Sequence, residues 1–437
     1  MMMRKYIFFI SLILSGAVFS CDLSSSIPPV NVDFVLMSDG EIYSEDGITV
    51  SVSTSNNSVS YEAETEAGVA SFSLLPGLYT VSASFKTDDY IYNLNASVTI
   101  ASGDDGRMEL ELMKVKPKAL IIKELYIGGC QKDDGSGAYN YDKYVILYNN
   151  SDTDVDAGDV GFAFVTPANS NASNRWLKDG QLLYDSEGWI PAGWNIWWFE
   201  TEVVIPPYSQ IVVAINGAID HTATYSQSVD LSRPEYYAMY DPEAFGDKYS
   251  QNMYPNPSDN IEPSHYLQTF LYGKGNAWPV SNTSPAFYIL EYSDIEEYTK
   301  NDVNYDRTES AELPVVKVDR SWVLDGIEVF RGGYESSNSK RFTSDIDAGY
   351  IYHTSDRGYT LYRNVDKEAT EALPENEGRL VYGYAGGTDG TDHAYGSTDP
   401  SGIDAEASIA NGAHIVYMET NNSSADFHQR RISSLKD

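Results

Sequence analysis

Tyr79-Thr80-Val81-Ser82-Ala83-Ser84-Phe85 alternates apolar and hydroxyl-bearing side chains with period two. A strand sends successive side chains to opposite faces, so this stretch has one face for a core and one for water. The pattern recurs on both sides. Ile48, Val50 and Val52 alternate with Thr49, Ser51 and Ser53, and Leu94, Ala96, Val98 and Ile100 repeat it downstream. Asp46-Gly47, Asn56-Asn57, Pro76-Gly77 and the run from Gly103 to Gly106 read as turns between these strands. Seven or so antiparallel strands over residues 30–115 therefore make a small sandwich, and the expected class of the whole chain is all-β.

Composition agrees. At 437 residues the chain exceeds the roughly 250 to 300 that one core supports, so more than one domain is expected. Aromatics reach 13% with 34 Tyr, and Gly and Pro recur throughout, which favours short strands and turns over long helices. A formal charge of −35 repels phosphate backbones and excludes nucleic acid as a partner. It also opposes adsorption on anionic lipid unless something covalent holds the protein there. Of the two cysteines, Cys21 and Cys130, the first sits at the end of an export signal, so no disulfide framework is expected in the mature chain.

Residues 1–20 have the signal pattern: Arg4 and Lys5 at the start, an apolar run from Tyr6 to Val18 too short to span a bilayer, and small Ser20 before the cysteine. Val18-Phe19-Ser20-Cys21 resembles a bacterial lipobox, although Phe19 is bulkier than the usual residue there. The resemblance implies a lipidated Cys21, a tether over residues 21–29 and an outer-membrane location. In Bacteroidetes-type lipoproteins an acidic run after the cysteine accompanies export to the cell surface. Here only Asp22 is acidic, so the periplasmic and surface faces both stay open.

Gly68-Val69-Ala70-Ser71-Phe72 followed by Leu75-Pro76-Gly77-Leu78-Tyr79-Thr80-Val81 resembles the signature of carboxypeptidase regulatory-like domains. That family implies a transthyretin-like, immunoglobulin-like sandwich over residues 30–115 with no catalytic residues, serving as a stalk. Lys116-Pro117-Lys118 breaks the pattern, and a second domain is expected over residues 117–437. Its opening, Leu120-Ile121-Ile122-Lys123-Glu124-Leu125-Tyr126, then Asp142-Lys143-Tyr144-Val145-Ile146-Leu147-Tyr148-Asn149-Asn150, and later Ile205-Pro206-Pro207-Tyr208, resemble the lamin-tail domain, an immunoglobulin-like sandwich. Lys143 and Ile146 stand where that family has acidic residues, so fold transfers better than chemistry. With Trp322-Val323-Leu324-Asp325 and the stretch from Glu419 to Phe427, the layout is similar to a family of uncharacterised Bacteroidetes lipoproteins. Their genes often lie near those of TonB-dependent receptors, which implies a receptor partner in nutrient uptake. Polar, Tyr- and Pro-bearing residues 216–320 read as long loop insertions, where binding functions are commonly placed.

No metalloprotease, nucleophile-elbow or phosphate-loop motif occurs, and His221, His265, His353, His393, His414 and His428 lack ligand spacing. The expected function is therefore non-enzymatic binding, although a dispersed hydrolase site would leave no motif. Cys130 reads as an incidental thiol, with no base or pKa-lowering group beside it in sequence. Trp189, Trp194, Trp197 and Trp198 are the ligand-binding candidates, since exposed rings stack on sugars or anchor proteins; the competing reading is core packing. In a strand, Trp197 and Trp198 must face opposite ways, which leaves one of that pair as the expected exposed ring. No cofactor is expected beyond calcium, for which Asp133, Asp134 and Asp142 are candidates in a loop lacking EF-hand spacing; a solvated turn is the alternative.

Overall fold

The period-two residues meet in one core. Val50, Val52, Tyr79, Val81, Ala83, Leu94 and Val98 are buried together with Val32, Phe34 and Phe72, while the hydroxyl residues between them face outward. This is a computed structural model describing residues 28–436, apart from 55–58, 88, 104–105, 179, 309–312 and 391–395. The leader, Cys21, the Asn56-Asn57 turn and His393 lie outside the described residues.

Two sheets build the N-terminal layer pair. Ser60–Glu64, Thr49–Thr54, Gly77–Lys86, Ile91–Ile100 and Met113–Val115 form the larger sheet in that spatial order. Its pairing sets Tyr79 against Val98, Val81 against Ala96 and Ala83 against Leu94, so cross-strand neighbours share the apolar face. In the smaller sheet Val30–Ser38 pairs antiparallel with Val69–Leu74 and parallel with Gly106–Glu111. Gly68 enters that sheet at φ +78°, with the Tyr43 carbonyl where a Cβ would stand, so a glycine is required there.

The rest of the chain is organised around one sheet of twelve strands. In spatial order these are Ile351–His353, Val323–Arg331, Ala286–Glu291, Val160–Phe164, Asn195–Trp198, Tyr266–Leu271, Tyr237–Met239, Gln210–Ala214, Tyr144–Asn149, Leu120–Tyr126, Thr360–Arg363 and Phe427–Arg430. The sheet curls until its two end strands meet, where the Thr354 backbone N–H donates to Gln429 Oε1 at 2.6 Å. It is thus nearly closed, and the all-β expectation holds. Between the long connections of residues 216–320 the chain returns to this sheet three times.

Curling gives the sheet an inner and an outer face, and both are covered. Ile122, Leu125, Val145, Leu147, Phe162, Trp197, Phe287 and Ile327 fill the interior. Outside, a three-stranded sheet of Trp189–Gly193, Val315–Asp319 and Tyr305–Asp306 covers Ala163, Ile196, Trp198 and Tyr288. On the other flank Tyr126, Tyr144 and Ile146 pack under Val229, Leu231 and Ile261, while Ile121 and Tyr148 pack under Ile403, Ile415 and Tyr417. Strands such as Leu120–Tyr126 are consequently buried at every position. Among the described residues no helix is long and apolar enough to cross a membrane.

Candidate ligand cleft at the junction

Neither ring of the Trp197-Trp198 pair is exposed. They do face opposite sides of their strand, as alternation requires, but Trp197 enters the interior and Trp198 is covered by the outer three-stranded sheet. The expected exposed ring is absent because the strand lies mid-sheet with a layer on each side. Trp194, at φ +70°, is half-buried against the inner core, and its ring packs on Gly273 and Gly275. Trp189 is half-buried too, its indole N–H donating to Glu187 Oε2 at 2.8 Å.

The acidic loop does not assemble a cation cage. Asp133 accepts from the Ser226 backbone and hydroxyl, and Asp134 accepts from the Ser136 backbone. Asp142 is buried instead beneath Tyr126 and Ser228, whose hydroxyls donate to it at 3.2 and 2.6 Å. Among the described residues no three His, Cys, Asp or Glu side chains are grouped for a metal. Cys130 is buried, and burial pushes its thiol up to about 12, far from thiolate reactivity. Burial likewise holds His353 down at about 4 and His428 at about 3, so both are neutral imidazoles inside the protein at pH 7.

A solvent-open concavity does exist, where the two parts of the chain meet. It has a volume of about 550 Å³. Met113 to Val115, the last strand of the N-terminal sheet, with Lys116 and Lys118 of the connector after it, makes one wall; Glu187, Gly188 and Asp319 to Ser321, joined by the Arg320 N–H donating to the Gly188 carbonyl at 3.0 Å, make a second, and Leu324, Asp325, Asp345, Ile346 and Asn421 also line the concavity. Pro117 lacks an N–H and biases Lys116 toward an extended conformation, so the edge strand ends at Val115 and no helix starts in the connector. Asp319 caps the short turn at Arg320, accepting from the Ser321 N–H at 2.9 Å. Arg320 Nη1 bridges Asp185 at 2.6 Å and Asp345 at 3.0 Å. Few polar bonds join the walls from outside: Asn93 Nδ2 donates to Thr420 O, and Asn95 Nδ2 to Ala348 O, each at 2.6 Å.

Beneath the cleft lies a buried charge cluster. Arg363, fully buried, pairs with Asp325, with Glu419 at 2.6 Å and with Asp426 at 3.7 Å. Its Nε donates to the Ile122 carbonyl at 2.7 Å, and the Ile122 N–H donates in turn to Asp325 at 2.6 Å, tying the cluster to the sheet. Three carboxylates share one guanidinium, so a proton is retained among them. Burial pushes Glu419 up to about 8, against the pull of Arg363, and raises Asp325 and Asp426 as well.

A raised carboxyl means that the native state keeps a proton which the unfolded chain has released above about 4.5. Stability from this group therefore falls as pH rises from about 4.5 to 8, at up to about 1.4 kcal/mol per unit. Buried His353 and His428 act oppositely: the unfolded chain gains their protons below 6.5, so their contribution is lost as pH falls from there. Comparing denaturation of the wild type with Glu419→Gln at pH 7 and pH 8 isolates the first effect. The variant is expected to lack the wild type's alkaline loss; parallel curves would remove the retained proton from Glu419.

The chain's likeness to known proteins bears on this arrangement. No curated protein matches it. Residues 206–382 match the family described as protein of unknown function DUF4876. The chain carries a DUF4876 domain over those residues. The DUF4876 stretch supplies Arg320, Asp325, Asp345 and Arg363, while Lys114, Lys116, Lys118 and Glu187 of the cleft come from outside it. A crystal structure of a DUF4876 family protein from Bacteroides thetaiotaomicron VPI-5482 superposes with a TM-score of 0.51 at 20% identity, covering 91% of this chain and 94% of that one. That likeness shows the fold. The full-length RrgB pilus protein of Streptococcus pneumoniae matches with a TM-score of 0.17 at 11% identity, over 32% of this chain and 36% of its own. The full-length major pilin SpaD of Corynebacterium diphtheriae gives 0.16 at 10% identity, over 74% and 96%. Neither pilin carries an argument at those scores.

Sequence reasoning used Lys116-Pro117-Lys118 only as a boundary and missed Arg320 and Asp345. The signal for the buried cluster was present: Arg363 interrupts the apolar Leu361-Tyr362 run, and Asp325, Glu419 and Asp426 all lie in segments singled out above.

Proposed function

We propose that the protein is a lipid-anchored outer-membrane protein with a non-enzymatic binding role, tethered through Cys21 and taking its ligand in the junction cleft. The observation that carries the binding role is that cleft, whose volume of about 550 Å³ falls within the usual range of small-ligand sites, roughly 300 to 1,000 Å³. The anchor is supported by the lipobox-like Val18-Phe19-Ser20-Cys21 and the short apolar leader before it. Resemblance to the Bacteroidetes lipoprotein family adds a TonB-dependent receptor as the partner that receives the ligand. The finer assignments, a regulatory-like stalk and a lamin-tail-like body, belong to the same reading. A non-enzymatic role is supported by the sequence, which carries no metalloprotease, nucleophile-elbow or phosphate-loop motif.

The cleft reading is tested by thermal shift against a small-metabolite panel. A ligand at 100 times its Kd stabilises by about 2.7 kcal/mol, a readable shift. Ser321→Trp, at an exposed position on the cleft wall, is expected to keep the fold and abolish the shift; a ligand that stabilises both proteins equally binds elsewhere and removes the cleft from the proposal.

A further inference from the structure

The charges lining the cleft are sorted by wall. The connector supplies Lys114, Lys116 and Lys118, all exposed, and the second wall, where the Arg320 N–H donates to the Gly188 carbonyl, supplies Glu187 and Asp319, also exposed. Lys114 is already engaged, with Asp39 at 3.1 Å and over the Tyr90 ring at 4.2 Å. Arg320 is paired with both Asp185 and Asp345, a group that keeps one net negative charge, and Asp325 is paired with Arg363. Among the described residues, the exposed cleft charges with no ion partner are therefore two ammonium groups, Lys116 and Lys118, from the connector, and two carboxylates, Glu187 and Asp319, from the second wall. Glu187 is oriented by the Trp189 indole N–H, and Asp319 by the Ser321 N–H and hydroxyl, at 2.9 and 2.7 Å. Those donors are neutral, so they fix the carboxylates without cancelling them. Among the described residues no ion pair within 4 Å joins the lysine wall to Glu187 or Asp319, although opposite charges attract and long side chains could close a narrow gap.

We infer that the cleft binds a zwitterion whose carboxylate meets Lys116 and Lys118 and whose ammonium meets Glu187 and Asp319: the class of free amino acids and short peptides. A simple anion would satisfy one wall and be repelled by the other, and a simple cation the reverse. A ligand carrying both charges satisfies the two walls together. Met113, Leu324 and Ile346, which also line the cleft, offer an apolar surface for the side chain of such a ligand. This inference rests on the cleft being the ligand site, and the experiment keeps the two claims apart.

Isothermal titration of the purified protein with the dipeptide Ala-Leu, its N-acetyl form and its C-terminal amide reads the requirement for each charge. Ala-Leu is expected to bind, and each capped form to bind at least about 10-fold more weakly, the loss typical of one hydrogen bond to a charged group. Lys116→Gln with Lys118→Gln should erase the difference between Ala-Leu and its amide. Glu187→Gln with Asp319→Asn should erase the difference between Ala-Leu and its N-acetyl form. Equal binding of all three peptides, or no binding of any, overturns the zwitterion. If galacturonate instead binds in a way that the lysine variants abolish and the carboxylate variants do not, the zwitterion fails and the cleft stands. If none of these probes binds in a way that responds to the lysine, carboxylate or Ser321→Trp variants, both claims fall.

Discussion

Arg363→Met is expected to destabilise the protein by about 3 to 5 kcal/mol at pH 8, the cost of removing one partner from a buried ionic group. The guanidinium is fully buried, and its planar fork reaches Asp325, Glu419, the Ile122 carbonyl and, at 2.9 Å, the Met418 carbonyl. Its face lies 4.3 Å from the centre of the Phe427 ring. Methionine restores the stem and none of the charge, so three carboxylates face one another with no cation between them. They respond by holding protons that the unfolded chain releases at ordinary carboxylate pKa values. The deficit should therefore shrink as pH falls and grow as it rises. Urea denaturation at pH 5 and pH 8 measures this directly. A loss below 1 kcal/mol, or one that is the same at both pH values, would mean that the cluster is not held by Arg363.

Trp197→Ala should cost a similar amount, about 3 to 5 kcal/mol, for a different reason: the cavity left by one of the two fully buried tryptophans of the interior, Trp197 and Trp278. Trp197 is 0% exposed, and the Phe245 and Tyr254 rings lie 6.1 Å away on the same side of the sheet. Half-buried Trp194 already shares its surface with water, so Trp194→Ala should cost distinctly less. Equilibrium denaturation of the two variants gives the ranking, which would be reversed if Trp197 served a ligand in place of the core. The cleft is lined by neither residue, so the folded fraction of both variants should bind as the wild type does.

What could be read from the residues depended on which surfaces meet water. In Gly77–Lys86 one face is buried and the other only partly covered, and the hydroxyls of Thr80, Ser82 and Ser84 mark the second, so strand, register and core face were all legible. In Leu120–Tyr126 every position is buried, so the period disappears and even Lys123 and Glu124 lie inside. The same effect governs the tryptophans: alternation correctly separated Trp197 from Trp198, but a second layer covers the side that a lone sheet would leave open. The cleft lay further out of reach, because its lining comes from five stretches of chain far apart in the sequence, which no spacing rule brings together. Arg363 meets Asp325 and Glu419 across 38 and 56 residues, a separation at which no spacing rule operates.

By itself the sequence determined the strand-rich class, the net acidity and the core-facing side of the N-terminal strands. Each follows from composition or from nearest neighbours along the chain. Only the tertiary structure decided that the large sheet is covered on both sides, that four charged side chains share one buried site, and that Lys116, Lys118, Glu187 and Asp319 line one concavity. Those outcomes depend on which distant segments come to lie against each other, and local alternation reports contact with water only where a single layer separates the core from solvent.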